Sequence, residues 1–335
     1  MLRYLGQPLK ENPRVAVVTN DNLGNFVIAT PLMQMLKNRH GGQLDYYGGA
    51  RVSELAERSE FVDAAYPLHG AEPRQTARDM SERTYDLVVN IEWTPWAKAA
   101  TSILAGRDTF VCGPCIGPDG RGDFAFPEDE TGRLWNDQDW MAEDVVQKYQ
   151  CLGSGYIAEI FCRLAYLEGT IPRYKLPRAT PPIKLPDILV SGTASLPEKL
   201  WPLENWRRVI EQLASMGLTV GLLGAKPTVQ GQFWKGASDE DRFIDFGVED
   251  LRGRLTLPEV VGAIESVRLV VTLDNGILHL SSATGTPVIG LFREGIHRLW
   301  APPHPEVTVL HPGPGAPVAA IGVEDVVSAV KSVLA

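Results

Sequence analysis

Cysteine is scarce in this chain, with four residues among 335. Small secreted domains use dense disulfides in place of a core that they cannot build, so this count argues against a disulfide scaffold. Cys112 and Cys115 have the spacing of a metal-binding pair. Cys151 and Cys162, however, are separated by ten residues instead of the roughly two to four of such pairs. The sequence therefore favours free thiols over a four-thiolate zinc or iron site, and no metal ligand is predicted.

Long apolar runs and an excess of basic charge are also missing. No stretch approaches the roughly 18 apolar residues that cross a bilayer, and the start, MLRYLGQPLKENPR, lacks the apolar segment of a signal peptide. The cytoplasm is therefore the expected location, without a transmembrane segment. The net charge is −9. Because nucleic-acid binding needs a basic face, nucleic acid is not expected as a partner.

The chain does contain enough apolar sequence for two cores. Hydrophobic residues form 44% of it, and single cores stop growing at about 250 to 300 residues. β-branched runs alternate with helical patterns in both halves, which predicts an α/β fold with two doubly wound, mainly parallel sheets. Strands are predicted at 14–19, 44–49, 62–68, 85–92, 108–113, 187–192, 218–224, 268–274 and 287–292, and the main helices at 26–39, 139–168, 203–216, 258–265, 276–284 and 322–334.

A proline-rich stretch separates the two halves. Five prolines lie between residues 172 and 186, where they can neither continue a helix nor serve a central strand. The predicted domains are thus an N-terminal one over 1–170, a linker over 171–186 and a C-terminal one over 187–335. The last helix is a candidate to pack back on the N-terminal domain.

The turn Asp274-Asn275-Gly276 carries the most informative chemistry. A predicted strand ends there and a helix of small residues begins. The amides and the positive dipole end of a helix start form an anion site, and Gly276 lets the backbone approach a phosphate closely. The turn therefore predicts a grip on the diphosphate of a sugar nucleotide. The alternative is a plain turn with Asp274 as the helix cap, and His279 either reaches the ligand or packs as a buried histidine.

Hydroxyl-bearing residues and a lysine follow another predicted strand, in the loop 191–202. Thr193 and Ser195 offer hydroxyls, and Lys199 offers a positive charge. Ligands of open parallel sheets bind beyond the carboxyl ends of the strands, so this loop is expected at the same edge as Asp274. Lys199 is then either a second phosphate contact or an isolated surface lysine.

These segments resemble glycosyltransferase family 9, the ADP-heptose:lipopolysaccharide heptosyltransferases. The resemblance runs nearly end to end, and the matching stretches are LGNFVIATPLMQMLK (23–37), GTASLPEKLWPLENW (192–206), DNGILH (274–279) and GTPVIGLF (285–292). It implies the GT-B arrangement, in which two Rossmann-like domains face a cleft, and an inverting transfer without a cofactor or a required metal. The nucleotide-sugar donor, an ADP-sugar by preference, would bind mainly to the C-terminal domain.

The resemblance also implies individual donor contacts. Lys199 would meet phosphate, and the backbone at Leu255 would meet the nucleotide base. The predicted donor-binding residues are Gly24, Thr193, Ser195, Lys199, Leu255, Asp274, Asn275, Gly276 and His279.

The catalytic position departs from the family pattern. Where the family has Gly-Asp, with the carboxylate as general base, this chain has Gly24-Asn25, and an amide cannot take a proton. Direct displacement needs a base near the acceptor hydroxyl. Asp21, in the same loop, and Glu92, at the end of the strand 85–92, are the predicted substitutes. Glu92 is alternatively a rim carboxylate paired with a cation.

The acceptor and the rival functions remain open in the sequence. The segment 119–144 holds nine acidic residues against two arginines, which favours a neutral or cationic acceptor, such as an amino sugar, over phosphorylated lipopolysaccharide. A non-catalytic sugar-nucleotide-binding protein would explain Asn25 simply. A sugar-nucleotide epimerase on the same scaffold is the other rival, and it matches the motifs less well.

Overall fold

The computed structural model describes residues 1–137 and 139–335. They form two compact units, Met1–Pro177 and Arg178–Ala335, and the boundary falls in the proline-rich stretch. Residues 171–186 contain neither helix nor strand, because proline lacks the amide hydrogen that both structures use.

The first unit is a six-stranded sheet flanked by helices. All its strand pairs are parallel, in the order β1-β6-β5-β2-β3-β4. The strands are β1 (Leu2–Arg3), β2 (Arg14–Val18), β3 (Gln43–Gly49), β4 (Ala64–His69), β5 (Leu87–Asn90) and β6 (Phe110–Cys112). The helices are α1 (Leu23–His40), α2 (Ser53–Ala56), α3 (Pro73–Ser81), α4 (Pro95–Leu104), α5 (Glu130–Asn136), α6 (Val145–Lys148) and α7 (Ile157–Leu164).

The second unit repeats this architecture. Its six strands are again parallel, in the order β12-β11-β10-β7-β8-β9. The strands are β7 (Ile188–Ser191), β8 (Val220–Leu222), β9 (Glu249–Asp250), β10 (Leu269–Leu273), β11 (Val288–Leu291) and β12 (Val307–Leu310). The helices are α8 (Leu203–Ser215), α9 (Pro227–Phe233), α10 (Ala237–Asp241), α11 (Leu257–Ser266), α12 (Gly276–Thr284), α13 (His297–Trp300) and α14 (Val323–Leu334).

The central strands explain this architecture. β5, β7, β10 and β11 are buried along their whole length, as expected for parallel strands that helices cover on both faces. Their apolar, β-branched sequences have no polar side to turn towards water. The two sheets confirm the predicted fold class of two Rossmann-like, doubly wound domains.

The structure corrects several predicted boundaries. The predicted helix 139–168 is two short helices, α6 and α7, because Gly153-Ser154-Gly155 interrupts the helical pattern between them. Helix α1 begins at Leu23 and not at 26, so Gly24 and Asn25 lie in its first turn. β1 and β9 escaped prediction because strands of two residues show no periodicity.

The final helix belongs to the second core. Val326, Val327 and Val330 of α14 share one buried cluster with Trp206 of α8 and with β7, β10 and β11. The apolar stripe of α14 is thus covered within its own unit, whereas the sequence left open a return to the N-terminal domain. Among the described residues, no helix combines the length and the apolar character needed to cross a membrane.

Candidate functional site

Asn275 organises the turn between β10 and α12. It is the N-cap of α12, and its Oδ1 accepts a hydrogen bond from the Ile277 amide at 2.9 Å. Its Nδ2 donates to the Thr193 carbonyl at 2.9 Å, which ties the turn to the loop after β7. The cap is therefore Asn275 and not Asp274. Gly276 is the first residue of α12.

Lys199 and Asp274 form an ion pair beside this helix start. Lys199 Nζ lies 2.7 Å from Asp274 Oδ2, with the two side chains 16% and 7% exposed. The pairing follows from the topology, because β7 and β10 are neighbouring parallel strands and the residues after them meet at one edge. Lys199 is therefore not an isolated surface lysine. Asp274 holds the ammonium close to the amides at the start of α12.

A buried carboxylate occupies two amides of the same loop. Glu240 Oε1 accepts hydrogen bonds from the amides of Gly192 and Thr193, at 2.5 and 2.9 Å, and its Oε2 accepts one from Gln230 at 3.0 Å. Glu240 is completely buried. These two amides are thus occupied by the protein itself and are not available to a ligand, unlike the start of α12 and Lys199. The sequence offered no signal for Glu240, which lies on the short helix α10.

The buried state of Glu240 makes a pH-dependent prediction. Burial raises the pKa of Glu240 to about 7, from an ordinary value of 4.5. Between these values the folded state holds the proton more tightly than the unfolded state. This group's contribution to the free energy of unfolding should therefore fall as the pH rises through this window, by up to about 3 kcal/mol.

Urea unfolding at pH 5, 6, 7 and 8 checks this prediction. The difference between wild type and Glu240→Gln isolates this residue, because buried histidines such as His279 titrate in the opposite sense. As the pH rises, the free energy of unfolding of Glu240→Gln should increase relative to that of wild type. Glu211→Gln, at an exposed position of α8, should follow wild type. A pH-independent difference for Glu240→Gln would contradict the assignment.

The other predicted donor residues lie at or near this edge, except Gly24, which lies in α1 of the first unit. Ser195 is exposed and Thr193 is buried. Leu255 is half-buried in the turn that leads from β9 to α11. His279 lies close to Asp274 and Lys199 and is only 3% exposed. Burial lowers its pKa to about 4. His279 is therefore a neutral interior histidine beside the ion pair, which fits the packed alternative.

The first unit carries a separate group of polar residues at the carboxyl ends of β2 and β5. Asn20 follows β2, and its Nδ2 donates to Glu92 Oε2 at 2.7 Å. The amides of Trp93 and Thr94 donate to Glu92 Oε1 at 3.0 and 3.2 Å. Glu92 is half-buried and forms no ion pair with any described cation. It is thus not the paired rim carboxylate of the alternative interpretation.

Asp21 differs from Glu92 because it is paired with a cation. Its Oδ2 is paired with Arg51 Nε at 2.5 Å, and the Arg51 amide donates to its Oδ1 at 3.3 Å. The carboxylate lies where a Cβ at Gly49 would overlap it, so Gly49 is required for this arrangement. The sequence missed Asn20 and Arg51, because their roles arise only when β2, β3 and β5 come together.

Asn25 and Gly24 lie in the first turn of α1, and both are half-buried. The side-chain amide of Asn25 makes no hydrogen bond with another described residue. Asn25 is thus open to a ligand as donor and acceptor, but it has no carboxylate.

Comparison with known proteins bears on the second unit, where Lys199 and Asp274 lie. Residues 170–315 match the model of glycosyltransferase family 9 (heptosyltransferase). This stretch includes β7 to β12, the Lys199–Asp274 pair and the start of α12.

A curated protein that matches part of this chain is the lipooligosaccharide heptosyltransferase 2 of Haemophilus influenzae, which is 34% identical over 97 residues. These cover 29% of this chain, and the chain spans only 28% of the length of that relative.

Solved structures match nearly the whole chain. A glycosyltransferase family 9 protein from Veillonella parvula has a TM-score of 0.73 at 12% identity, covering 98% of this chain and 99% of that one. The ADP-heptose lipopolysaccharide heptosyltransferase II of E. coli has a TM-score of 0.70 at 16% identity, covering 96% and 98%. At these identities the likeness shows the fold, which is that of GT-B heptosyltransferases.

The four cysteines lie in the first unit, outside the stretch that matches the family model, and they are free. Burial raises the pKa of Cys112 and of Cys162 to about 12 each, and the Cys112 thiol donates to the Leu164 carbonyl at 3.1 Å. Among the described residues, no group of three potential metal ligands includes a cysteine.

Proposed function

We propose that the chain is an inverting glycosyltransferase that moves a sugar, with heptose as the first candidate, from a nucleotide-diphosphate donor to an acceptor hydroxyl. One observation carries the proposal. The Lys199 ammonium is held at the start of α12 by Asp274, 2.7 Å away, inside a domain that matches heptosyltransferases. A fixed cation beside helix amides suits a diphosphate leaving group.

The donor would bind along this edge of the second unit. Lys199 and the first amides of α12 would contact the diphosphate, with Gly276 allowing close approach. Asn275 would hold the turn in place without contacting the donor through its side chain, because that side chain already caps α12 and donates to the Thr193 carbonyl. The backbone at Leu255 would contact the base, for which adenine is our proposal.

In the first unit, we assign the general base to Glu92. The acceptor hydroxyl would give its proton to a Glu92 carboxylate oxygen as the acceptor oxygen bonds to the anomeric carbon of the sugar. The bond from that carbon to the diphosphate breaks, and the electron pair leaves with the nucleoside diphosphate. Asp21 is less suited, because Arg51 already neutralises it. Asn25 would orient the acceptor.

We further propose that the reaction needs no cofactor, because Lys199 and the helix amides can stabilise the leaving group. A neutral or cationic acceptor is favoured by the charge of the segment 119–144. Part of that charge has a structural use, however: Asp129 caps α5, and Asp137 pairs with Lys148.

A thermal-shift screen tests donor binding. A ligand that binds only the folded state at 100 times its Kd adds about 2.7 kcal/mol of stability. We expect an ADP-sugar, with ADP-heptose as the first probe, to raise the melting temperature by about 2 °C or more, and GDP-, UDP- and dTDP-sugars to raise it less. No shift with any of the four would overturn the proposed donor site.

A second assay separates an enzyme from a binding protein. Nucleotide release should occur on incubation with the donor and a panel of neutral, amino and phosphorylated sugar acceptors. Binding without release across that panel would favour the non-catalytic protein.

A further inference from the structure

A second polar group lies at the same edge of the second sheet, beyond β11 and β12. These neighbouring strands are parallel, with Leu291 paired to Leu310. Glu294 and His297 follow β11, and His311 directly follows β12. Residues beyond the carboxyl ends of neighbouring parallel strands meet at one edge, so the chain brings these three together.

The potential ligand atoms of this Glu–His–His group are close to one another. One atom from each of Glu294, His297 and His311 lies within 4.8 Å of the other two. His311 Nδ1 and Glu294 Oε2 are 2.6 Å apart. The ligands of a tetrahedral zinc ion, with bonds of about 2.0 to 2.1 Å, are separated by roughly 3.3 Å. Side-chain rotations, without movement of the backbone, thus suffice to place all three around one ion.

The group also contains a buried polar atom without a partner. His297 Nδ1 has no hydrogen bond to any described residue, and an unsatisfied buried nitrogen costs free energy. Glu294 Oε1 faces Arg298 Nη2 at 3.5 Å, so Oε2 is the carboxylate oxygen on the histidine side.

We propose that Glu294, His297 and His311 bind one divalent transition-metal ion of the zinc type. Two imidazoles and one carboxylate are a ligand set that zinc and similar ions accept, with further positions left for water or ligand oxygens. The two imidazole rings now stack, with centroids 4.2 Å apart and planes at 8°. Parallel rings direct their lone pairs side by side, so one ring must turn about its Cβ–Cγ bond to bind, which ends the stack.

The ion would join two loops next to the Lys199–Asp274 pair. Arg293, adjacent to Glu294, lies 3.4 Å from Glu198, which precedes Lys199. Fixing the loop 292–297 would therefore restrict the segment that carries Lys199. The site does not depend on the proposed function, because metal binding is measured without donor or acceptor.

Metal titration of the full chain after EDTA dialysis tests the proposal. We expect one Zn²⁺ per chain by calorimetry and a d–d absorption spectrum with Co²⁺ typical of nitrogen and oxygen ligands. His311→Gln and Glu294→Gln should each weaken Zn²⁺ binding by at least about 100-fold, since losing even a second-shell partner costs about 10- to 100-fold. His69→Gln, in the first unit, should bind as wild type does.

The possible contrary results are distinct. A thiolate-to-cobalt charge-transfer band would place the metal on the cysteines and overturn the proposal. So would the absence of saturable binding, or equal binding by wild type and both variants. His311 is 39% exposed at its side chain and Gln is nearly isosteric with Glu, so both variants should fold, which metal-free melting curves will verify.

Discussion

Glu92→Gln is expected to lower kcat for sugar transfer by about 10²- to 10⁴-fold, the usual contribution of a general base. Gln keeps an oxygen that can accept the amide hydrogens of Trp93 and Thr94, so the fold should be retained. Donor binding should be unchanged, because Glu92 lies in the first unit and the proposed contacts to the diphosphate and the base lie in the second. Steady-state kinetics, with donor binding measured by calorimetry, checks both expectations.

Asp21→Asn is the matched control. It removes a carboxylate from the neighbouring loop, but that carboxylate is already paired with Arg51, so kcat should fall by less than about tenfold. Full activity of Glu92→Gln together with a large loss in Asp21→Asn would transfer the base to Asp21. Full activity of both would reject the two assignments.

Lys199→Met should have the second large effect, on both activity and stability. Losing one charge that stabilises the leaving group costs about 10²- to 10³-fold in kcat, and the donor should bind more weakly. The variant also leaves the charge of Asp274, 7% exposed, without its partner. Removing one member of a buried ion pair costs about 3 to 5 kcal/mol, which urea unfolding will measure.

The double variant Lys199→Met/Asp274→Asn separates the two effects. Removing both charges should restore most of the unfolding free energy, because no buried charge is left unpaired. Donor binding should stay weak, since the cation is still absent. Lys331→Met, on an exposed position of α14, is the matched control and should change neither quantity. Recovery of donor binding in the double variant would show that Lys199 acts only through folding.

The sequence indicated the sheets better than the connecting segments. Central strands such as β2 and β10 are short apolar runs between helical patterns, and burial on both faces leaves that mark in the sequence. The stretch 139–168 showed a helical pattern, yet a local Gly-Ser-Gly divides it into α6 and α7. β12 was missed for another reason. It is a half-buried edge strand, so burial on both faces did not mark its sequence.

The residues of the candidate site were also predicted only in part. The turn Asp274-Asn275-Gly276 and Lys199 were found because parallel strands direct the residues after them to one edge. The alternative interpretation, a plain turn, placed the cap at Asp274, whereas Asn275 makes it, because the choice depends on one backbone conformation. Glu240 and Asn20 were not found at all. Each acts on a segment far away in the sequence, at Gly192 and at Glu92.

The sequence by itself thus determined the two doubly wound domains, and it predicted an anion-binding turn at residues 274–276 and the lack of a carboxylate at Asn25. These depend on local composition and on short motifs. Only the tertiary structure decided that Arg51 neutralises Asp21, that Glu92 stays without a cation among the described residues, and that Lys199 is held by Asp274. The physical reason is that charge pairing and burial depend on distances across the fold, and residues far apart in the chain carry no mark of that proximity.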